Sequence, residues 1–286
     1  VSPDEARAEL LRLLQESPAP FPLDRAALLL AVDEYPRLDL RLYEQFLDEY
    51  AARVTEALVV GGDERDSRRR LGALRRVLFE EEGFHGDREN YYDVRNSYLN
   101  EVLDRKLGIP ISLATVVLGV SRRLGWPMQG VNFPYHFLVR YTQEGEALAV
   151  DAFHGGLILG EEELEERWRF STGFDPPSAD RMLEPAEPRA VLVRMLNNVR
   201  GVHVRSRQYG PAALATQKVA LIEPQHPHHQ RDLGYLLLAA GDLQGAARHL
   251  ERYLGRAPHA SDSSEVRDRL AYIWENLPAG GEEPEV

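Results

Sequence analysis

Residues 110–124 constrain this chain more than any other stretch. They read PISLATVVLGVSRRL, and Leu113, Val116, Val117, Leu118 and Val120 spread round nearly the whole circumference of a helix. A helix that is apolar on all sides cannot lie on a surface, so it must be a central element packed on both sides. Pro110 suits its first positions, and Gly125 and Pro127 stop it. Alternating segments at 128–133, 136–141 and 147–153 then predict three short strands. The turn Gln143-Glu144-Gly145-Glu146 joins the last two as a hairpin. With Glu144 and Gly145 at its centre, 138 faces 151 and 136 faces 153. Alternation puts His136, Leu138, Asp151 and Phe153 on one face, with His136 and Asp151 as diagonal neighbours.

The flanking regions are helical. Ser2-Pro3-Asp4-Glu5 is a capping box with proline at the first helical position. The first 82 residues read as four helices, with Gly61-Gly62-Asp63 as a break. The basic run from Arg65 to Arg76 lies on a helix whose Leu71, Leu74 and Leu78 face inward, so it reads as a solvated face. After a polar loop at 83–92, a helix opens near Asn96 and Ser97 and is expected to end on Gly108. A short acidic helix at 161–168 is followed by a proline-rich linker at 171–188.

Beyond Pro188 the pattern repeats. Tyr209-Gly210-Pro211-Ala212-Ala213 is matched by Leu243-Gln244-Gly245-Ala246-Ala247, and Glu223-Pro224 by Ala257-Pro258, each 34 residues on. That period, with small residues where helices cross and a proline at the repeat end, is the tetratricopeptide signature. A final helix at 264–276 caps the array, and the tail after Pro278 is expected to be disordered.

Composition narrows the function classes. A net charge of −12 opposes non-specific nucleic-acid binding, which needs a positive field. No apolar run reaches membrane-spanning length, and the opening residues do not read as a leader, so a cytoplasmic location is expected. The absence of cysteine excludes disulfides and thiolate metal sites.

The segments RNSYLNEVLDRKLGIPISL, VNFPYHFLVRY and AVDAFHGG, followed by the repeats, resemble the bacterial SirB-type family, a branch of the transglutaminase-like superfamily. The resemblance implies an α+β fold: a transglutaminase-like (papain-like) core with a helical N-terminal cover, then an all-α tetratricopeptide region. The expected divisions are a cover at 1–90, a core at 91–170, the linker at 171–188, repeats at 189–278 and a tail at 279–286. In catalytic members of the superfamily a cysteine starts the central helix, and a His and an Asp face it. In this chain Pro110 takes the cysteine's place, while His136 and Asp151 match the other two.

Two functional readings follow. In the first, the chain is a non-catalytic binding or regulatory protein that takes a protein or peptide in its cleft or on its repeats, with the repeats docked on the core. In the alternative it is a hydrolase or acyl transferase using Ser112 or an activated water with His136 and Asp151. Ser112 also reads as a helix cap. Asn96, Asn100, Glu101, Pro110 and Asn132 are assigned to ligand binding in the same cleft, on the family pattern. Asn96 and Asn100 are four apart and are expected to share a helix face. Strand alternation puts His154 on the face opposite His136 and Asp151, so neither a metal nor another cofactor is expected. His226, His228 and His229 read as a solvated loop.

Overall fold

The computed structural model describes residues 1–59, 66–143 and 146–277. The break at Gly61-Gly62-Asp63, the hairpin centre at Glu144 and Gly145, and the tail after Pro278 lie outside these. The chain divides into two compact units, Val1–Met195 and Leu196–Val286.

The first unit opens with four helices, α1 (Pro3–Glu16), α2 (Leu23–Ala31), α3 (Leu40–Val59) and α4 (Ser67–Arg75), the last continuing into a wider π-type turn at Arg76–Glu81. Ser2 and Glu5 close the expected capping box on α1. The short strand β1 (His85–Gly86), α5 (Leu99–Arg105) and β2 (Leu107–Gly108) lead into α6 (Pro110–Arg123). Eleven of the fourteen residues of α6 are buried, as its all-round apolar character requires. It packs against α2, α3 and α5, and also against the sheet. Its far end is tied to α2 through the buried Asp24, which accepts from Arg122 Nε and Nη2 at 3.2 Å each and from Arg123 Nη1 at 2.6 Å.

The sheet runs in the order β3 (Met128–Val131), β4 (Leu138–Gln143), β5 (Glu146–Asp151) and β6 (Leu157–Leu159), all antiparallel. Val139 pairs with Val150 and Gln143 with Glu146, the register that the turn predicts. Strand β6 is an addition to the three expected. Helices α7 (Glu161–Thr172) and α8 (Ala179–Met182) follow. Met182 and Leu183 join Val131, Leu138, Ala149 and Leu164 in one buried cluster, and Val131 bridges to Pro185. The stretch expected as a linker, 171–188, therefore completes the core of this unit. Its prolines and polar residues disguise two buried side chains.

Two local expectations also change. Helix α5 ends on Lys106, in the left-handed region at φ 61°, and Gly108 lies in β2. Asn96 and Ser97 do not open α5. They sit in a 3₁₀ turn (Val94–Ser97) capped by Asp93.

The chain passes from the first unit to the second within α9 (Pro188–Arg205). The second unit carries α10 (Tyr209–Ile222), α11 (His228–Ala240), α12 (Leu243–Arg256) and α13 (Ser263–Asn276). Helices α10 and α12 start 34 residues apart, as the repeat predicts. Close approach of α11 and α12 depends on Gly234, where an added Cβ would lie 2.7 Å from Leu250. Ala246, Ala247, Leu250, Tyr253, Val266 and Ile273 form the buried core here. His229 departs from the expected solvated loop: it is buried, and its Nε2 lies 2.9 Å from Glu223.

Candidate functional site

The site begins where α6 begins. Pro110 is its first residue and is buried. Its missing N–H costs nothing there, since the first N–H groups of a helix have no intrahelical partner. Ser112 is fully buried, and its hydroxyl is engaged on three sides. Its Oγ donates to the Asn96 carbonyl at 2.6 Å, lies 3.1 Å from the Ile109 carbonyl and accepts from the Ile109 N–H at 3.1 Å. Asn96 is equally buried and joins Asp87, the Asn90 carbonyl and Arg105.

The second component is the turn between β3 and β4. His136 lies in this turn, two residues before β4 begins, so the strand expected from 136 starts at Leu138. The His136 N–H closes the turn on the Phe133 carbonyl at 3.0 Å. Tyr135 holds φ 55° and is 90% exposed, an uncommon conformation for an aromatic residue and a point where strain is stored. Arg194 spans the turn, donating from Nη1 to Asn132 Oδ1 and from Nη2 to the His136 carbonyl, both at 2.8 Å. Asn132 thus acts on the turn that presents His136.

The third component is the end of β5. After Asp151 the chain leaves the strand in a 3₁₀ turn (Ala152–His154), and the Asp151 carboxylate caps it by accepting the His154 N–H at 3.3 Å. This turn brings His154 back to the side on which strand alternation would not place it. The close fit of Gly86 holds it there, since a Cβ on Gly86 would meet the Phe153 carbonyl oxygen at 2.7 Å.

Asp151 is the centre of the assembly. It has 0% exposure and four donors. His136 Nε2 reaches Oδ1 at 2.8 Å, and His154 Nδ1 and Arg167 Nη1 reach Oδ2 at 2.8 and 2.5 Å. Burial pushes its carboxyl up, but the His136 hydrogen bond and charge, then those of His154, outweigh burial and hold it down at about 2. An ionised carboxylate can only accept, so each imidazole donates from the nitrogen that faces Asp151. That leaves His136 Nδ1 and His154 Nε2 turned away from the carboxylate, which orients both rings. A carboxylate that fixes an imidazole in this way is the geometry by which a general base is oriented.

The nitrogens of His136 and His154 and a carboxylate oxygen also lie within 4.8 Å of one another, a two-histidine, one-carboxylate donor set. Here the Asp151 oxygens are filled by four donors, one of them a guanidinium. The cluster is satisfied as a hydrogen-bonded set.

A polar cleft of about 720 Å³ opens beside His154, lined by His85, Asp87, Arg88, Arg105 and Phe153 among others. Tyr91 and Phe153 extend an aromatic wall toward His136, with centroid separations of 6.0 Å for Tyr91 to Phe153 and 6.2 Å for His136 to Phe153. Asn100 and Glu101 line a different cavity, with Tyr35 and Tyr43. Asn96 in its turn and Asn100 on α5 do not share a helix face. His136 and Asp151 are thus brought together, Pro110 and Ser112 form the buried helix start, and Asn100 and Glu101 are separated from the cleft. Arg167 and Arg194 are site residues that sequence reasoning missed. Each lies on a later helix, and no local pattern marks it.

Comparison with known proteins places this geometry. Residues 41–197 match the transglutaminase-like superfamily, and residues 199–271 match the tetratricopeptide repeat. The chain belongs to the transglutaminase-like superfamily. Its relatives include the UPF0162 protein of Xylella fastidiosa strain Temecula1, 39% identical over 256 residues, covering 87% of this chain and 89% of that protein. The UPF0162 protein of Vibrio cholerae is 30% identical over 192 residues, 66% of this chain and 70% of its own. A segment of 83 residues, 29% of this chain, is 45% identical to 13% of the mouse F-box only protein 21. No solved structure matches. Among transglutaminase-like chains this one retains a His–Asp pair and carries Pro110 where the resemblance expects the nucleophile.

Proposed function

We propose that this protein is a binding or regulatory protein on a transglutaminase-like fold, which takes a protein or peptide on its repeats and in the cleft lined by His154, whose ring lies 5.6 Å from that of His136. One observation carries the reading. The nucleophile's position holds a buried proline, and the hydroxyl two residues on is buried and committed to capping the same helix. Serine in such a setting has no access to a substrate, and its proton is committed to a backbone carbonyl. The His136–Asp151 pair keeps its value in binding. An oriented imidazole offers one donor or acceptor at a fixed place. On the motifs quoted above we also assign the chain to the SirB-type branch, with the cytoplasm as its compartment and the repeats docked on the core.

The competing reading is hydrolysis by a water activated at the free nitrogen of His136. It is favoured by the same pair and needs no protein nucleophile. Peptides selected from a displayed library against the full chain separate the two. Binding without turnover, weakened in His136→Ala at an unchanged melting temperature, supports the proposal. Cleavage of a selected peptide that His136→Ala abolishes, or stoichiometric labelling of Ser112 by a fluorophosphonate, overturns it.

A further inference from the structure

The turn that presents His136 carries a cost that the fold does not use. Tyr135 sits in the left-handed region at φ 55°, where any side chain beyond glycine is strained, and 90% of its surface is exposed. A buried aromatic residue can offset such a backbone through packing, but too little of this ring is covered for that. Tyr135 is also not an isolated exposed ring, which would need no explanation. Tyr91 and Tyr92 are exposed as well, and their rings meet edge to face at 5.3 Å. Tyr91 stands against Phe153, whose ring lies 6.2 Å from that of His136. Arg194 links this group to the turn. Its guanidinium holds Asn132 and the His136 carbonyl. Burial pushes the Tyr91 hydroxyl up, and the Arg194 charge opposes that rise. Three exposed tyrosines thus belong to the surroundings of one imidazole.

The charges nearby decide what such a surface can take. Asp151 is fully buried and has four donors, so a basic side chain finds no open carboxylate there. An acidic side chain finds the Arg194 guanidinium already engaged with the turn. What remains on offer is ring surface and hydroxyl groups. A polyproline II segment matches that offer. Its pyrrolidine rings are apolar and pack on aromatic faces, its carbonyls have no internal partner and accept from phenol hydroxyls, and its conformation is set before binding.

We infer that the Tyr135 tip, with Tyr91 and Tyr92, docks a proline-rich extended segment of the partner beside His136. The inference rests on the peptide-binding reading above and names the class of peptide. Tyr135 is the anchor, since a tyrosine gives a large contact area at low entropic cost.

The test is fluorescence anisotropy of a labelled decaproline peptide titrated with the full chain, beside a glycine–serine peptide of the same length. Saturable binding of decaproline alone is expected, weakened about ten-fold in Tyr135→Gly. Glycine adopts φ 55° freely, and this relief offsets its extra freedom in the unfolded chain, so the variant should melt no lower than the parent. A residue kept for the fold would show the opposite pattern, a lower melting temperature with binding unchanged, and that result overturns the inference. So does a decaproline peptide that binds no better than the glycine–serine one. If library-selected peptides then still bind and still depend on His136, the peptide-binding reading stands and only the assignment to proline falls.

Discussion

Two buried aspartates hold the first unit together at different places, and they differ in what holds them. Asp24 accepts from the guanidinium groups of Arg122 and Arg123, which are charged at every accessible pH. Asp151 accepts from His136, His154 and Arg167, and two of those three partners are imidazoles with a second ring nitrogen. Both carboxyls lie below their usual range, because charged hydrogen bonds outweigh a burial that pushes them up. The Asp24 cluster satisfies its groups and offers nothing outward, so it acts as a rivet between α2 and α6. The Asp151 cluster leaves one unshared nitrogen on each imidazole, so the same kind of buried charge becomes an orienting device. What separates a structural acid from a site acid here is the chemistry of its donors, since burial is nearly the same.

The largest effect should come from Asp24→Ala. It leaves two guanidinium groups facing an apolar helix, and should cost about 3 kcal/mol, the low end for a broken buried pair because Arg122 is partly exposed. Urea unfolding at pH 7 measures it, and no change in peptide binding is expected beyond that of stability.

Asp151→Asn should cost about 2 kcal/mol at neutral pH, from a carboxyl lowered from 3.8 to about 2. The native state holds this proton less tightly than the unfolded chain. The contribution is therefore complete above the ordinary carboxyl range and is lost as pH falls through about 2. Stability curves of the parent and Asp151→Asn should converge in acid. A gap of constant size down to pH 2 would contradict the linkage.

Ser112→Ala removes a cap and leaves the Asn96 carbonyl and the Ile109 N–H short of a partner, a loss of about 1–2 kcal/mol by urea unfolding. His136→Ala should cost the fold least, about 1 kcal/mol, because three donors remain on Asp151.

Local patterns made much of this legible in the sequence. The hairpin register followed from one turn, the central helix from its all-round apolar surface, and the repeats from a 34-residue offset. Elements failed to read where tertiary contacts override local signals. His154 reads as opposite-facing only if the strand continues past Asp151, and it is the Asp151 side chain that ends the strand by capping the next turn. The family pattern puts Asn100 and Glu101 in the cleft, whereas α5 turns them to another cavity. The 171–188 segment reads as a linker because Met182 and Leu183 are two apolar residues among many polar ones. Arg167 and Arg194 meet the site only through the fold, so no spacing announces them.

The most direct test of the central claim is a pair of dissociation constants for one library-selected peptide, measured by calorimetry on the full chain carrying Ser112→Ala or His136→Ala. The expected result is an affinity close to the parent's for Ser112→Ala, despite its lower stability. His136→Ala should bind about ten-fold more weakly with the fold intact. The reverse pattern would contradict the claim: Ser112→Ala folded but inert, with His136→Ala binding as the parent does.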